Sequence, residues 1–322
     1  MVTKAGAWSF FILGCALATA AHAQQYPQRP LRFVVPFPPG GGADNLARIV
    51  GQPAGEMLGQ QIVVDNRAGA GGNISAEVVA RAAPDGYTLL QGNLAHAISQ
   101  NLQRRPGYDI GNDFAAVTLL ASIPFLLVAN PSVNAGSVKE LIALAKARPG
   151  QLNYASSGYG GPSHMAMELF RSMTGVDLHH VPYKGAGPAA TDLIAGQVHV
   201  MFPTMSAALP LVRSGRLKAY ALTSASRSPL APEIPTVAES GVPGYEASTW
   251  FGVMVPKATS PVITTRLNGV FTAVLRVPDV RERLTNQGFD IVGSTAADFA
   301  GYIKVEILKW AKVAKTSGTT VD

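Results

Sequence analysis

The strongest constraint on this chain is a strand, a glycine turn and a helix written in immediate succession. Leu31–Val35 is a β-branched and aromatic run, and Pro36 ends it. Gly40-Gly41-Gly42 follows, and then Leu46, Ile49, Val50 and Met57 recur at helical spacing over 45–58. The alternation continues with a strand at 61–65, a helix at 74–83 stopped by Pro84, and a strand at 87–91. Strands separated by helices at these distances mean βαβ units and a parallel sheet.

The same rhythm then restarts. Strands are expected at 117–121, Leu126–Ala129, 152–155, His179–Pro182, 198–202 and 217–223, with helices at 137–147, 164–174 and 189–195 between them. Ser137 is placed to cap the first of these helices. A proline-rich stretch over 229–243 leads to three closing helices at 261–275, 277–287 and 296–315. The pattern therefore predicts two α/β lobes, each a mostly parallel sheet flanked by helices. A ligand is expected in the crevice at the C-terminal ends of the strands. Lobe 1 is expected to take 24–121 and 225–322, and lobe 2 to take 122–224, with crossings near 120–124 and 223–227.

The front of the chain carries an address. Lys4 is followed by an uncharged, alanine-rich run, and Ala21-His22-Ala23 has the small-x-small pattern of a signal-peptidase site. Residues 1–23 are read as an export signal cleaved after Ala23, which implies a periplasmic protein. Cys15, the single cysteine, lies inside that segment, so the mature chain would hold no thiol and no disulfide. A lipobox around Cys15 is the second reading. Removing 1–23 takes away only Lys4, so the formal charge of +6 becomes +5. That surplus is dispersed, which suits small anions and not nucleic acid.

Three segments could carry chemistry, each between a strand and a helix. In the first, 36–44, the backbone of Phe37, Gly41, Gly42 and Ala43 can approach a ligand and present N–H groups at a helix start. The segment has neither the Gly-Lys-Ser/Thr of a P-loop nor the GxGxxG of a dinucleotide site. Asp44 is equally well explained as a helix-start residue. In the second, Ser156, Ser157 and Gly158 precede His164. A Ser–His nucleophile is weighed here and set aside, because no Gly-x-Ser-x-Gly elbow is present. In the third, Tyr183, Lys184 and Gly185 precede Asp192, and Lys184 could meet a carboxylate or Asp192. Asn93 and His96 lie just beyond the strand at 87–91. No metal-ligand spacing occurs, so neither metal nor cofactor is expected.

These segments together resemble the extracytoplasmic binding receptors of the tripartite tricarboxylate transporter family, the Bug receptors. The resemblance covers nearly all of 26–322. It rests on Pro36-Phe37-Pro38-Pro39-Gly40-Gly41 with Asp44, on the run from Val63 to Gly72, and on Pro84-Asp85-Gly86-Tyr87. It continues in Tyr154-Ala155-Ser156 with His164, in His180-Val181-Pro182-Tyr183-Lys184-Gly185 with Asp192, and in Trp250, Glu306 and Trp310. It implies a two-lobed Venus-flytrap fold of the type II periplasmic binding class. It also implies a monomer that delivers an organic acid to a two-subunit membrane permease, the acid being a di- or tricarboxylate, an amino acid or an aromatic acid. Carried over, the first-lobe grip is 37–44 and 93–97, including Asn93, His96 and Ala97. The second lobe contributes 156–158 and the neighbourhood of 183–185, with Asp192 closing the site. The chain departs from the family pattern at Asn93 and Ala95, where members usually offer Ser or Thr, and Pro53 is expected to bend or shorten its helix. An enzyme on the same fold and a co-receptor for a sensor kinase are the rival functions.

Overall fold

A computed structural model describes residues 26–103 and 107–320. The expected export signal, its cleavage site and Cys15 lie outside the described residues. The first half of the chain runs β1 (Leu31–Val35), α1 (Gly42–Leu58), β2 (Ile62–Asn66), α2 (Asn73–Ala80), β3 (Thr88–Asn93), α3 (Leu94–Leu102) and β4 (Phe114–Pro124). Then come β5 (Leu126–Ala129), α4 (Val138–Ala147), β6 (Asn153–Ser156), α5 (Pro162–Thr174), β7 (His179–Pro182) and α6 (Ala186–Ile194). Next are β8 (Val200–Met201), α7 (Met205–Arg213), β9 (Lys218–Leu222) and β10 (Ser248–Pro256). The chain closes with α8 (Pro261–Val274), α9 (Pro278–Asn286), β11 (Asp290–Ile291) and α10 (Ala296–Ser317).

Two sheets result, in the orders β11-β4-β10-β3-β1-β2 and β7-β6-β8-β5-β9. Both are mixed, which corrects the expectation of mostly parallel sheets. β1 pairs in parallel with β2 and β3, and β6 with β7 and β8, as βαβ units require. The remaining pairings are antiparallel, because β4, β5, β9 and β10 belong to segments that carry the chain from one sheet to the other. β4 leads into β5 through a single intervening residue, Phe125, whose N–H donates to Thr223 Oγ1 at 2.7 Å. After β9 the chain stays with the second sheet, since Leu222 N–H donates to Pro235 O and Val237 N–H to Leu222 O, both at 2.8 Å. It joins the first sheet only at Ser248.

Apolar packing follows the layers. α1, α8 and α9 bury Leu46, Phe271 and Leu284 against one face of the first sheet. α6 and α7 cover the outer face of the second sheet with Leu193 and Met205. The third cluster is continuous between the sheets: Leu90, Ile98 and Trp310 share it with Tyr154, Phe170 and Phe202. At its centre Glu306 Oε2 accepts from both Trp250 Nε1 (3.1 Å) and Trp310 Nε1 (3.0 Å). α1 runs without interruption through Pro53, so that residue does not shorten it.

Candidate functional site

A cavity of about 280 Å³ lies between the sheets at the ends of β1, β6, β7 and β8. Its floor is the crossing, with Ile123 and Phe125 from one strand of passage and Thr249 and Phe251 from the other. Phe37, Gly41, Gly42 and Ala43 form one side, and Phe289 lies beside them. Ser157, Pro162, Ser163 and Ala186 form the opposite side, continued by the segment from Met201 through Thr204 and by Ser206. No Lys, Arg, Asp or Glu is among these lining residues.

Four helices begin at this cavity: α1 at Gly42, α5 at Pro162, α6 at Ala186 and α7 just after Thr204. Each N-cap (Gly41, Gly161, Gly185, Thr204) makes no side-chain capping bond. Elsewhere Asn93, Ser137, Ser260 and Thr295 cap α3, α4, α8 and α10 with side-chain oxygens, while α2 and α9 have no side-chain cap. The first N–H groups of a helix have no partner within the helix, and the macrodipole adds roughly half a positive charge at that end. Several such ends turned towards one apolar chamber create a positive potential without a cationic side chain. This is anion chemistry, supplied by backbone.

The residues singled out from the sequence divide into two groups. Phe37, Gly41, Gly42, Ala43 and Ser157 line the cavity. The others stand behind or beside it. Asp44 sits in the first turn of α1, accepts from Gly40 N–H (3.0 Å) and Asn66 Nδ2 (3.1 Å), and pairs with Arg48 at 2.9 Å. Burial acts to raise its carboxyl, but the bonds from Arg48, Gly40 and Asn66 outweigh that and hold it below the usual range. Asn93 and His96 form a capping box at the start of α3: Asn93 Oδ1 accepts from Ala95 N–H, and His96 Nδ1 from Asn93 N–H. His96 and Ala97 are wholly buried, and burial pushes the imidazole down to about 4, so it is neutral. With its own cap in place, α3 has fewer free N–H groups than the four helices at the cavity.

Behind the second side lies a stack of rings. His164 and His180 are 4.0 Å apart between centroids and nearly parallel, with Tyr154 against His180 at 4.6 Å and Tyr159 against His164 at 4.9 Å. Both imidazoles are pushed down to about 4, by burial first and then by neighbouring positive charge. His164 Nδ1 accepts from Gly160 N–H at 3.0 Å, which shapes the loop ahead of α5. Ser156 Oγ lies 2.7 Å from His180 Nε2, a serine–histidine contact that the sequence reading sought at His164 instead. Ser156 is completely buried and does not line the cavity, so this pair braces the loop whose next residues are Ser157 and Gly158. Tyr183 Oη donates to Asp192 Oδ2 at 2.8 Å, and burial and that carboxylate raise the phenol to about 12. Lys184 is exposed, and Gly185 N–H donates to Ser157 O at 3.0 Å. Among the described residues no group of three or more His, Cys, Asp or Glu could hold a metal ion.

The lining residues that sequence reasoning missed are Ile123, Phe125, Pro162, Ser163, Ala186, Thr249, Phe251, Phe289, the segment from Met201 to Thr204, and Ser206. Those of β4, β8 and β10, with Phe289 between α9 and β11, reach the cavity only through long-range strand pairing. One local signal was available: glycine at an N-cap has no side-chain acceptor, so Gly161 and Gly185 mark helix starts left open for something else.

Residues 46–319 match the family described as tripartite tricarboxylate transporter family receptor. The chain belongs to that family. BugT of Bordetella pertussis is 40% identical over 310 residues, covering 96% of this chain and 95% of BugT. An R. palustris protein solved with adipate is 40% identical, with a TM-score of 0.83 over 92% of this chain and 99% of that one. The periplasmic binding protein BugD is 34% identical, with a TM-score of 0.80 over 92% of this chain and 99% of its own. The family consists of periplasmic solute-binding receptors, and the two-lobed α/β fold of this receptor is theirs. No described helix of the receptor is long and apolar enough to cross a membrane.

Proposed function

We propose that this receptor captures a small organic carboxylate in the cavity between its sheets and hands it to a two-subunit membrane permease. The observation that carries the reading is the convergence of four uncapped helix starts on a chamber whose lining holds no charged side chain. An ionised carboxylate entering such a chamber loses its water, and fixed N–H groups replace it with charge-assisted bonds. The event needs no bond chemistry: a ligand that touches both sides shifts the equilibrium between open and closed arrangements of the lobes. The lobes are taken as 24–121 with 225–322, and 122–224. The bonds of Leu222 to Pro235 and Val237 favour placing 225–247 with the second lobe. The receptor acts as an exported monomer in the periplasm, with residues 1–23 removed.

A thermal-shift screen of carboxylic acids, each beside its uncharged primary amide, tests this. A ligand at one hundred times its Kd adds about 2.7 kcal/mol of stability. At least one acid is expected to raise the melting temperature while its amide does not. An amide that stabilises as well as its acid would refute the anion reading.

A further inference from the structure

The walls of the cavity also say what the rest of the ligand is. Phe37, Phe125, Phe251 and Phe289 contribute to the lining together with Ile123 and Met201, while the ring of Phe202 is wholly buried against Phe170 and Tyr245. Phe251 and Phe289 meet edge to face, their centroids 5.8 Å apart at 70°. The side-chain hydroxyls on the second side already bond to one another: Ser157 Oγ to Ser163 Oγ at 3.1 Å, and Thr204 Oγ1 to Ser206 Oγ at 3.3 Å. In each pair one hydroxyl donates and the other keeps its own O–H, so a few polar contacts remain beside the apolar walls.

Building on the carboxylate reading, we infer that the ligand is an aromatic acid, its ring held among the phenylalanines of the lining. A carboxylate is met at the helix starts, whereas the part of the ligand against the rings must be uncharged, because a buried, unpaired charge is strongly disfavoured. An aromatic ring meets the lining phenylalanines edge to face or offset, the arrangements such rings prefer. Size agrees: an engineered apolar cavity of about 150 Å³ takes up benzene, so about 280 Å³ holds one ring with a carboxylate and a small substituent. Adipate, with which the R. palustris relative was solved, is therefore the comparison to make.

Isothermal titration of the purified receptor with benzoate, hexanoate, adipate, malate and benzamide decides the matter. Benzoate is expected to bind at least tenfold more tightly than each of the other four. Adipate, malate or hexanoate matching benzoate would overturn the aromatic assignment while leaving the carboxylate reading intact. Benzamide matching benzoate, or no acid binding at all, would sink the carboxylate reading and this inference with it. Phe289→Leu gives a second handle, because it keeps an apolar side chain where the receptor folds around Phe251. It is expected to reduce the ratio of benzoate to adipate affinity about tenfold, and an unchanged ratio in a folded variant counts against the ring pocket.

Discussion

Gly42→Ala should make the receptor more stable and a poorer binder at the same time. Gly42 is the first residue of α1, and a Cβ built there meets only Phe289 Cζ, at 3.7 Å, an ordinary contact. Its backbone is not in the left-handed region, so alanine enters without strain. Replacing glycine by alanine at such a place stabilises by about 0.4–1 kcal/mol, chiefly by narrowing the unfolded ensemble. For a chain of this size that is about one to three degrees in Tm. The new methyl, however, stands in the cavity wall beside Phe289, where a carboxylate must come within about 2.9 Å of the helix N–H groups. Losing one charge-assisted hydrogen bond costs about 1.5–3 kcal/mol, a drop in affinity of at least about tenfold. Differential scanning calorimetry without ligand and titration calorimetry with the best acid read the two effects separately. A lower Tm would show that the start of α1 is not built as described. A higher Tm with unchanged affinity would show that this helix start does not touch the ligand.

Three further outcomes follow from the packing. His96 and His164 are almost wholly buried with pKa values pushed down to about 4, against about 6.5 unfolded. Unfolding therefore takes up protons between those values, and stability falls as pH drops from about 6.5 towards about 4. Each imidazole contributes about 2 kcal/mol of loss by pH 5, and equal urea midpoints at pH 7.5 and pH 5 would contradict that. Gly252→Ala should destabilise by about 1–3 kcal/mol, because its Cβ would lie 2.5 Å from Phe299 Cε1 and 2.9 Å from Thr118 O; a variant with unchanged Tm would refute the close packing of α10 on β10. Glu306→Leu leaves two buried indole N–H groups without an acceptor, a loss of about 1–3 kcal/mol apiece. Denaturation followed by tryptophan fluorescence measures it, and a wild-type midpoint would show that the carboxylate is dispensable.

The parts of the fold written locally were readable from the sequence. β1, its glycine turn and α1 announce themselves through Pro36, the three glycines and the spacing of Leu46, Ile49 and Val50. β10 was not readable. It is buried along almost its whole length, so it has no polar alternation to distinguish it from a buried helix. α7 was hidden by Pro210, which it accommodates internally, and α3 by a short run of Ala, His and Asn. The site followed the same division. Residues of the first glycine turn reach the cavity, because a strand, a turn and a helix fix them within a few residues. His96, His164 and Asp192 drew attention as polar groups at strand ends, but their neighbours in space consume their hydrogen bonds. Which polar group is already satisfied is a long-range fact.

The apolar cluster shared by the two sheets has a thermodynamic consequence. With Trp310 and Ile98 in the same continuous core as Phe170 and Tyr154, neither half has a complete interior of its own. Melting one would strip the other, so the two should denature together as one cooperative calorimetric unit. Ligand held at the seam then protects the entire molecule, and saturation moves a single heat-capacity peak instead of splitting it in two.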